Sequence, residues 1–179
     1  NIFNNFTNKG SECLLNAVSG CLNFMKDSTL IFAPNHNSYD RFSTGAHAPT
    51  AINWGYENRT TAIRIPGGPD IAKRIEHRVA GGDANPYLVL ASILGAAING
   101  MESKMEPEEP ISGDGYTSGG VSIIKDWKKS IECFSNSQQI KKIFDPLLIR
   151  SFVDCKKQEL DYFKDKSYNH IIQTTINAI

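Results

Sequence analysis

The sequence predicts an α+β fold, with antiparallel strands from about residue 50 to 80 and a helical C-terminal third, on three observations. Apolar residues recur at three-to-four spacing from Leu14 to Met25 and again beyond Asp126. Period-two alternation is confined to the middle, in short runs cut by Gly and Pro turns. Between the middle and the last third lies "MESKMEPEEPISGDGYTSGG", rich in Pro, Gly and acids, which reads as a surface excursion.

The elements follow in order. Ser11 can cap a helix carrying Leu14, Leu15, Val18, Cys21, Leu22 and Met25, ending near Lys26–Asp27. "TLIFAP" reads as a short buried strand or extended entry, and Pro34 to Asn37 as a loop. Ala51–Trp54 and Thr60–Ile65 read as strands separated by a Gly-Tyr-Glu-Asn turn. Ala62–Ile65, the "PGGPD" turn and Ala72–Val79 read as an antiparallel pair. Asn85 as cap and Pro86 in the first turn start a helix to about Ile98, stopped by Asn99–Gly100 and deeply packed. Asp126 or its neighbours open a helix with Trp127, Ile131 and Phe134. Ser137 caps a short one, and Asp145–Pro146 starts a long one to about Lys166.

Composition bounds the function. A chain of 179 residues with 40% hydrophobic content suits one domain, or part of a larger one, with a genuine core. Its formal net charge of +0 gives no overall field for nucleic acid or an anionic membrane, so neither is expected as a partner and anion chemistry must be local. The small-apolar run Leu88 to Ile98 is about half of a membrane span, so no transmembrane segment is expected. "NIFNNFTNKG" has no initiator Met, basic region or apolar run, and reads as the start of a cut chain. Cys13, Cys21, Cys133 and Cys155 lack CxxC or CxxxxH spacing, which suggests reduced thiols and a cytoplasmic location.

One stretch departs from the balanced charge. From Arg59 to Arg78 stand five basic residues (Arg59, Arg64, Lys73, Arg74, Arg78) and two acids (Asp70, Glu76). On the second strand, period two puts Arg74, Glu76 and Arg78 on one face, which Arg64 could share, with Ile75, His77 and Val79 on the other. Guanidinium forks suit phosphate and carboxylate oxygens, and a carboxylate among them is the hard ligand that Mg²⁺ or Mn²⁺ prefers. Together they point to phosphoryl transfer. Taken alone, the same residues more readily fit a solvated face that contributes little.

Order along the chain favours the first reading. "NSYDRF", "APTAINW", "NRTTAIRIP", "KRIEHR" and "GGDANPYL" occur in one series at the spacing of the glutamine synthetase catalytic core, which this chain resembles strongly over residues 30–100. The helical tail looks like that family's C-terminal helices. The resemblance implies that residues 1–179 are the C-terminal portion of a catalytic domain, inactive alone, in an enzyme that phosphorylates glutamate with ATP and passes the acyl group to an amine. By position, Arg41 and Arg78 fall where members hold the glutamate carboxylates, and Arg59 where they face the transferred phosphoryl group. Arg64 and Arg74 fall on the nucleotide phosphates, and Glu76 on a ligand of the Mg²⁺ (or Mn²⁺) that bridges them. Members form rings, so a homo-oligomer is expected of the whole enzyme.

One departure bears on the acceptor. Ammonia-using members carry Glu in the loop that here reads "STGAHAP", where His47 stands. An imidazole does not attract ammonium as a carboxylate does, so the resemblance leans to gamma-glutamylpolyamine or gamma-glutamylputrescine synthetases. His36 and His77 read as packing residues and Tyr116 as a loop aromatic. Two rivals stay open: a non-catalytic binding protein of the same family, and a guanidino-kinase-like phosphotransferase, which the motif series disfavours.

Overall fold

A computed structural model describes residues 1–7, 9–43, 45–118 and 120–176. Among these, α1 (Glu12–Met25) is followed by a helical turn α2 (Thr29–Phe32), β1 (Trp54–Tyr56), β2 (Ile63–Ile65), β3 (Glu76–His77) and α3 (Pro86–Glu102). Three more helices complete the chain: α4 (Trp127–Asn136), α5 (Pro146–Phe163) and α6 (Tyr168–Ile176). The α+β class and the helical last third are thus as expected. One apolar cluster runs from Leu14, Val18 and Phe24 of α1 through Leu30 and Ile63 to Ile131 and Phe134 of α4. Burying each such side chain contributes roughly 1.5–3 kcal/mol.

Helix starts follow their caps. Ser11 Oγ accepts from Leu14 N at 3.2 Å, and Asn85 Oδ1 from Tyr87 N and Leu88 N at 3.0 and 3.2 Å. Asp126 Oδ1 accepts from Lys129 N at 2.7 Å and Asp145 Oδ1 from Leu147 N at 2.8 Å. Each satisfies an amide that has no partner within its helix.

The "TLIFAP" segment is a correction. It is a buried helical turn rather than a strand, and its backbone closes on itself. Phe32 N donates to Ser28 O and Ala33 N to Thr29 O, at 3.2 and 2.8 Å.

The end of α3 is a second correction. Asn99 and Gly100 do not stop the helix; they lie inside it. Gly100 is needed there by α1. A Cβ on Gly20 would lie 2.2 Å from the Ala96 carbonyl and 2.8 Å from Gly100 Cα, and one on Gly100 2.2 Å from the Asn16 carbonyl. The two backbones are in direct contact, and no side chain can yield. Gly20→Ala is therefore expected to cost about 3 kcal/mol by forcing the helices apart, read as a lowered denaturant midpoint; an unchanged midpoint would refute this contact. Nor is α3 buried all round: Tyr87, Leu90, Leu94 and Ile98 make an exposed apolar stripe opposite its packed face.

The sheet has the order β1-β2-β3 and is mixed, not wholly antiparallel. β2 and β3 pair antiparallel, with Ile63 opposite His77 and Arg64 opposite Glu76. β1 runs parallel to β2, Trp54 beside Ile63 and Tyr56 beside Ile65. Residues 57–62 carry the chain back to the start of β1 before β2 begins, so the two strands share a direction. Both flanking strands are shorter than, or shifted from, the expected spans: β1 starts at Trp54, while Ala51 forms only a bridge with Ser122.

The acidic excursion after α3 closes the edge of β1. Ile111 N donates to the Trp54 carbonyl at 2.8 Å, and Trp54 Nε1 to the Glu108 carbonyl at 2.7 Å. Ile52 N donates to the Val121 carbonyl at 2.8 Å.

Candidate active site

The outer face of the small sheet carries a linked set of charges. In the β2–β3 register Arg64 and Glu76 are directly opposite, which places their side chains on one face. Arg64 Nη1 donates to Glu76 Oε2 at 3.0 Å, and Arg78 Nε lies 3.2 Å from Glu76 Oε1. Each carboxylate oxygen thus meets its own guanidinium. The arginine side chains are 16% and 17% exposed and that of Glu76 36%, so the cluster sits in a shallow, partly dry setting open on one side.

Arg78 reaches further. Its Nη1 donates to the Thr61 carbonyl at 2.9 Å and its Nη2 to the His47 carbonyl at 3.4 Å. It therefore ties β3 to the loop carrying Arg59 and to the loop carrying His47. His47 has φ +59, a left-handed conformation that costs a non-glycine residue about 1 kcal/mol or more. It is the backbone of His47, not its imidazole, that meets Arg78, and the side chain is exposed.

Arg59 is exposed and makes no hydrogen bond or ion pair among the described residues. Yet it stands two residues from the Thr61 carbonyl that Arg78 holds. Its charge is available to a ligand.

Arg41 ends a helical turn, His36–Arg41, and is half-buried. Its Nη2 donates to the Phe32 carbonyl at 2.9 Å, and its guanidinium lies 4.4 Å from the centre of the Phe42 ring. Burial pulls its pKa down, and the neighbouring Asp83 opposes that most. Asp83 Oδ2 also accepts from Asn35 Nδ2 at 3.1 Å and from Ser38 Oγ. Gly81 lies against both residues: a Cβ there would lie 2.4 Å from Asp83 Oδ1 and 3.1 Å from Arg41 Nε.

Arg74 is the residue the structure does not bring in. The expected alternation from Ala72 to Val79 survives only as Glu76–His77, because a tight turn at Asp70–Ala72 precedes it. Arg74 is exposed, and its Nη1 donates to the Ala72 carbonyl at 3.1 Å.

The other histidines pack. His77 tilts against the Phe32 ring at 4.6 Å, and burial pushes its pKa down to about 4, so it is held neutral. His36 meets the edge of Trp127 at 6.0 Å.

Three residues of this region carried no role in the sequence reading. Glu57 Oε2 lies 3.6 Å from Arg64 Nη2, a second and more exposed partner for that arginine. Asp83 acts on Arg41 through its charge, and Asn58 organises the Arg59 loop. All three sit in turns, where no periodicity marks them; the only available signal was an acid or amide beside a motif arginine.

A divalent ion finds one ligand here. Among the described residues no group of three or more His, Cys, Asp or Glu could hold a metal. Glu76 fits as a single anionic oxygen donor on the open side of the cluster, so the remaining ligands must come from elsewhere. Among the described residues, no helix is long and apolar enough to cross a membrane.

A sheet face that gathers arginines around one carboxylate, together with the motif series of residues 37–88, is the arrangement to set beside known proteins. The chain belongs to the glutamine synthetase catalytic-domain family, whose match spans residues 1–174. It is 35% identical over 153 residues to the gamma-glutamylethanolamide synthetase GlnA4 of Streptomyces coelicolor, covering 86% of this chain and 33% of that protein. It is 32% identical over 164 residues to the gamma-glutamylputrescine synthetase PuuA of Escherichia coli, covering 92% and 35%. Among solved structures it superposes on the GmaS/ADP complex with a TM-score of 0.83 at 25% identity, over 99% of this chain and 43% of that one. The chain therefore spans about a third of the length of the curated relatives it matches.

Proposed function

We propose that the protein containing this chain is an ATP-dependent ligase that joins the side-chain carboxylate of glutamate to an amine other than ammonia. The observation that carries the reading is Glu76 held between Arg64 and Arg78, with Arg59, unpaired among the described residues, on the adjoining loop. Family membership supplies the reaction class, and the named acceptors of two relatives, ethanolamine and putrescine, support the lean away from ammonia.

In this reading Arg78 and Arg41 hold the glutamate carboxylates. Arg64 sits against the nucleotide phosphates, and Arg74, exposed ahead of β3, is assigned there by its position in the family motif alone. Arg59 faces the phosphoryl group in transfer. A side-chain carboxylate oxygen of glutamate bonds to the γ-phosphorus as ADP leaves, and the amine nitrogen then attacks the acyl carbon. Phosphate departs and the amine gives up a proton. Bringing these anions together needs dense fixed positive charge in a poorly solvated place, and preformed cations aimed at developing charge lower the barrier most. Glu76 would hold Mg²⁺ or Mn²⁺, which supplies charge neutralisation between the phosphates. His47 lies at the mouth of the acceptor site in place of an ammonium-attracting carboxylate. We place the enzyme in the cytoplasm, as a homo-oligomer whose upstream region completes the site.

The test is phosphate release by the full-length protein with ATP, glutamate and, in turn, ammonia, methylamine, ethanolamine and putrescine. The expected result is turnover with an organic amine at least about tenfold above that with ammonia in kcat/KM, a difference of about 1.4 kcal/mol. A strong preference for ammonia would overturn the acceptor assignment, and no glutamate-dependent turnover with any amine would overturn the ligase.

A further inference from the structure

We propose that Asn58 and Thr60, tied to residues 111–115, form a clamp that aims Arg59, so that the excursion after α3 is a positioning element of the site. The inference rests on the reading of Arg59 as the phosphoryl-facing arginine.

Asn58 uses its whole amide. Oδ1 accepts from Thr60 N at 3.0 Å and Thr60 Oγ1 at 2.6 Å, closing a tight turn around Arg59. Nδ2 donates outward to the carbonyls of Ile111 at 3.2 Å and Gly113 at 2.8 Å. Thr60 Oγ1 in turn accepts from Gly115 N at 2.7 Å. Both neighbours of Arg59 are thereby fastened to the same strap.

The strap is itself fixed. Asn53 Nδ2 donates to the Gly115 carbonyl at 3.0 Å while Asn53 Oδ1 accepts from Ala62 N at 3.1 Å, and Asn53 is buried. The approach is close enough to exclude side chains. A Cβ on Gly115 would lie 2.7 Å from the Thr60 carbonyl, and one on Gly55 2.9 Å from the Ile111 carbonyl. On the far side, the Thr61 carbonyl takes the Arg78 guanidinium.

What the clamp does follows from what it leaves alone. Residues 58, 60 and 61 all have side chains or carbonyls engaged, while Arg59 has none of its donors engaged among the described residues. A turn this heavily bonded around an exposed, unbonded cation fixes the base of the side chain and spends none of its hydrogen bonds. An arginine held this way loses less freedom when charge develops, and a displacement of about 1 Å at such a group can cost about 10²-fold in rate.

The experiment is a double-mutant cycle in the full-length enzyme. Asn58→Asp keeps the turn acceptor and removes both donors to the strap, while Thr60→Val removes the hydroxyl that takes the Gly115 amide and Thr60→Ser keeps it. Asn58→Asp and Thr60→Val should each lower kcat by about 10–100-fold with KM for glutamate and for the amine within about threefold of wild type, and Thr60→Ser should stay near wild type. In an Arg59→Ala background, neither should lower kcat further, because the residue they aim is gone. Losses that multiply with that of Arg59→Ala, or unchanged kcat in both variants, overturn the clamp. If instead Arg59→Ala alone leaves kcat intact, the phosphoryl-facing assignment falls. Should Asn58→Asp fail to fold, the Thr60 pair carries the same comparison.

Discussion

Arg59→Ala is expected to lower kcat of the full-length enzyme by about 10³-fold while its thermal midpoint stays within a degree or two of wild type. The two halves of this result have separate causes. Arg59 is exposed and bonds to nothing among the described residues, so its removal breaks no contact that holds the fold. Its contribution appears only when a phosphoryl group carries charge between ATP and the glutamate carboxylate, where one well-placed cation is worth about 10³-fold or more. Arg59→Lys keeps the charge but not the two-point fork, and should recover only part of the loss. The measurement is steady-state phosphate release at saturating ATP, glutamate and amine, beside a melt of each variant. Turnover within threefold of wild type for Arg59→Ala would remove the phosphoryl-facing assignment. A large fall in the melting temperature would instead show a structural role that the absence of contacts argues against.

What the sequence made legible was what short-range chemistry decides. The starts of α1, α3, α4 and α5 were readable because a capping side chain, joined in α3 and α5 by a proline, acts within a few residues of the amides it serves. The pairing of Arg64 with Glu76 was readable because a Pro-Gly turn between two alternating runs brings the same faces together.

Elsewhere local signals ran out. "TLIFAP" has the composition of a buried strand, yet its amides bond to carbonyls three or four residues back, which closes it into a helical turn. The parallel course of β1 beside β2 depends on how residues 57–62 double back, which no residue pattern encodes. Arg74 was placed with Glu76 by extending the alternation upstream, but β3 begins only at Glu76, and Arg74 lies between it and the turn at Asp70–Ala72. Gly100 looked like a helix stop, since glycine ends helices more often than it fills them, and its role emerges only when Gly20 is seen against it. Asp83, Glu57 and Asn58 act across long sequence separations or inside turns, and what they do depends on groups that the fold brings near them. The family resemblance placed those arginines by position, whereas their partners follow from the packing alone.

Glu76 gives the second large effect, and two substitutions separate its two jobs. In the structure it sits between Arg64 and Arg78, and the reaction proposed here asks it also to hold the divalent ion. Glu76→Ala removes the anion that both half-buried guanidiniums face. Arg64 keeps only the exposed and longer contact to Glu57, whereas Arg78 keeps the carbonyls of Thr61 and His47. Because the cluster is partly open to water, the cost is that of charged hydrogen bonds near a surface, about 1–3 kcal/mol, seen as a lowered denaturant midpoint. Activity should fall by at least about 10²-fold, since the carboxylate is a fixed element of the site. Glu76→Gln keeps the length and one oxygen acceptor and loses the charge. It should retain more of the stability than alanine but lose activity almost as fully, with the metal concentration for half-maximal rate shifted upward by about tenfold or more. An equal loss of stability in both variants would mean that charge, not shape, holds the hairpin together. Full activity for Glu76→Gln at limiting Mg²⁺ would mean that the carboxylate serves the fold alone and that the ion is held by other residues.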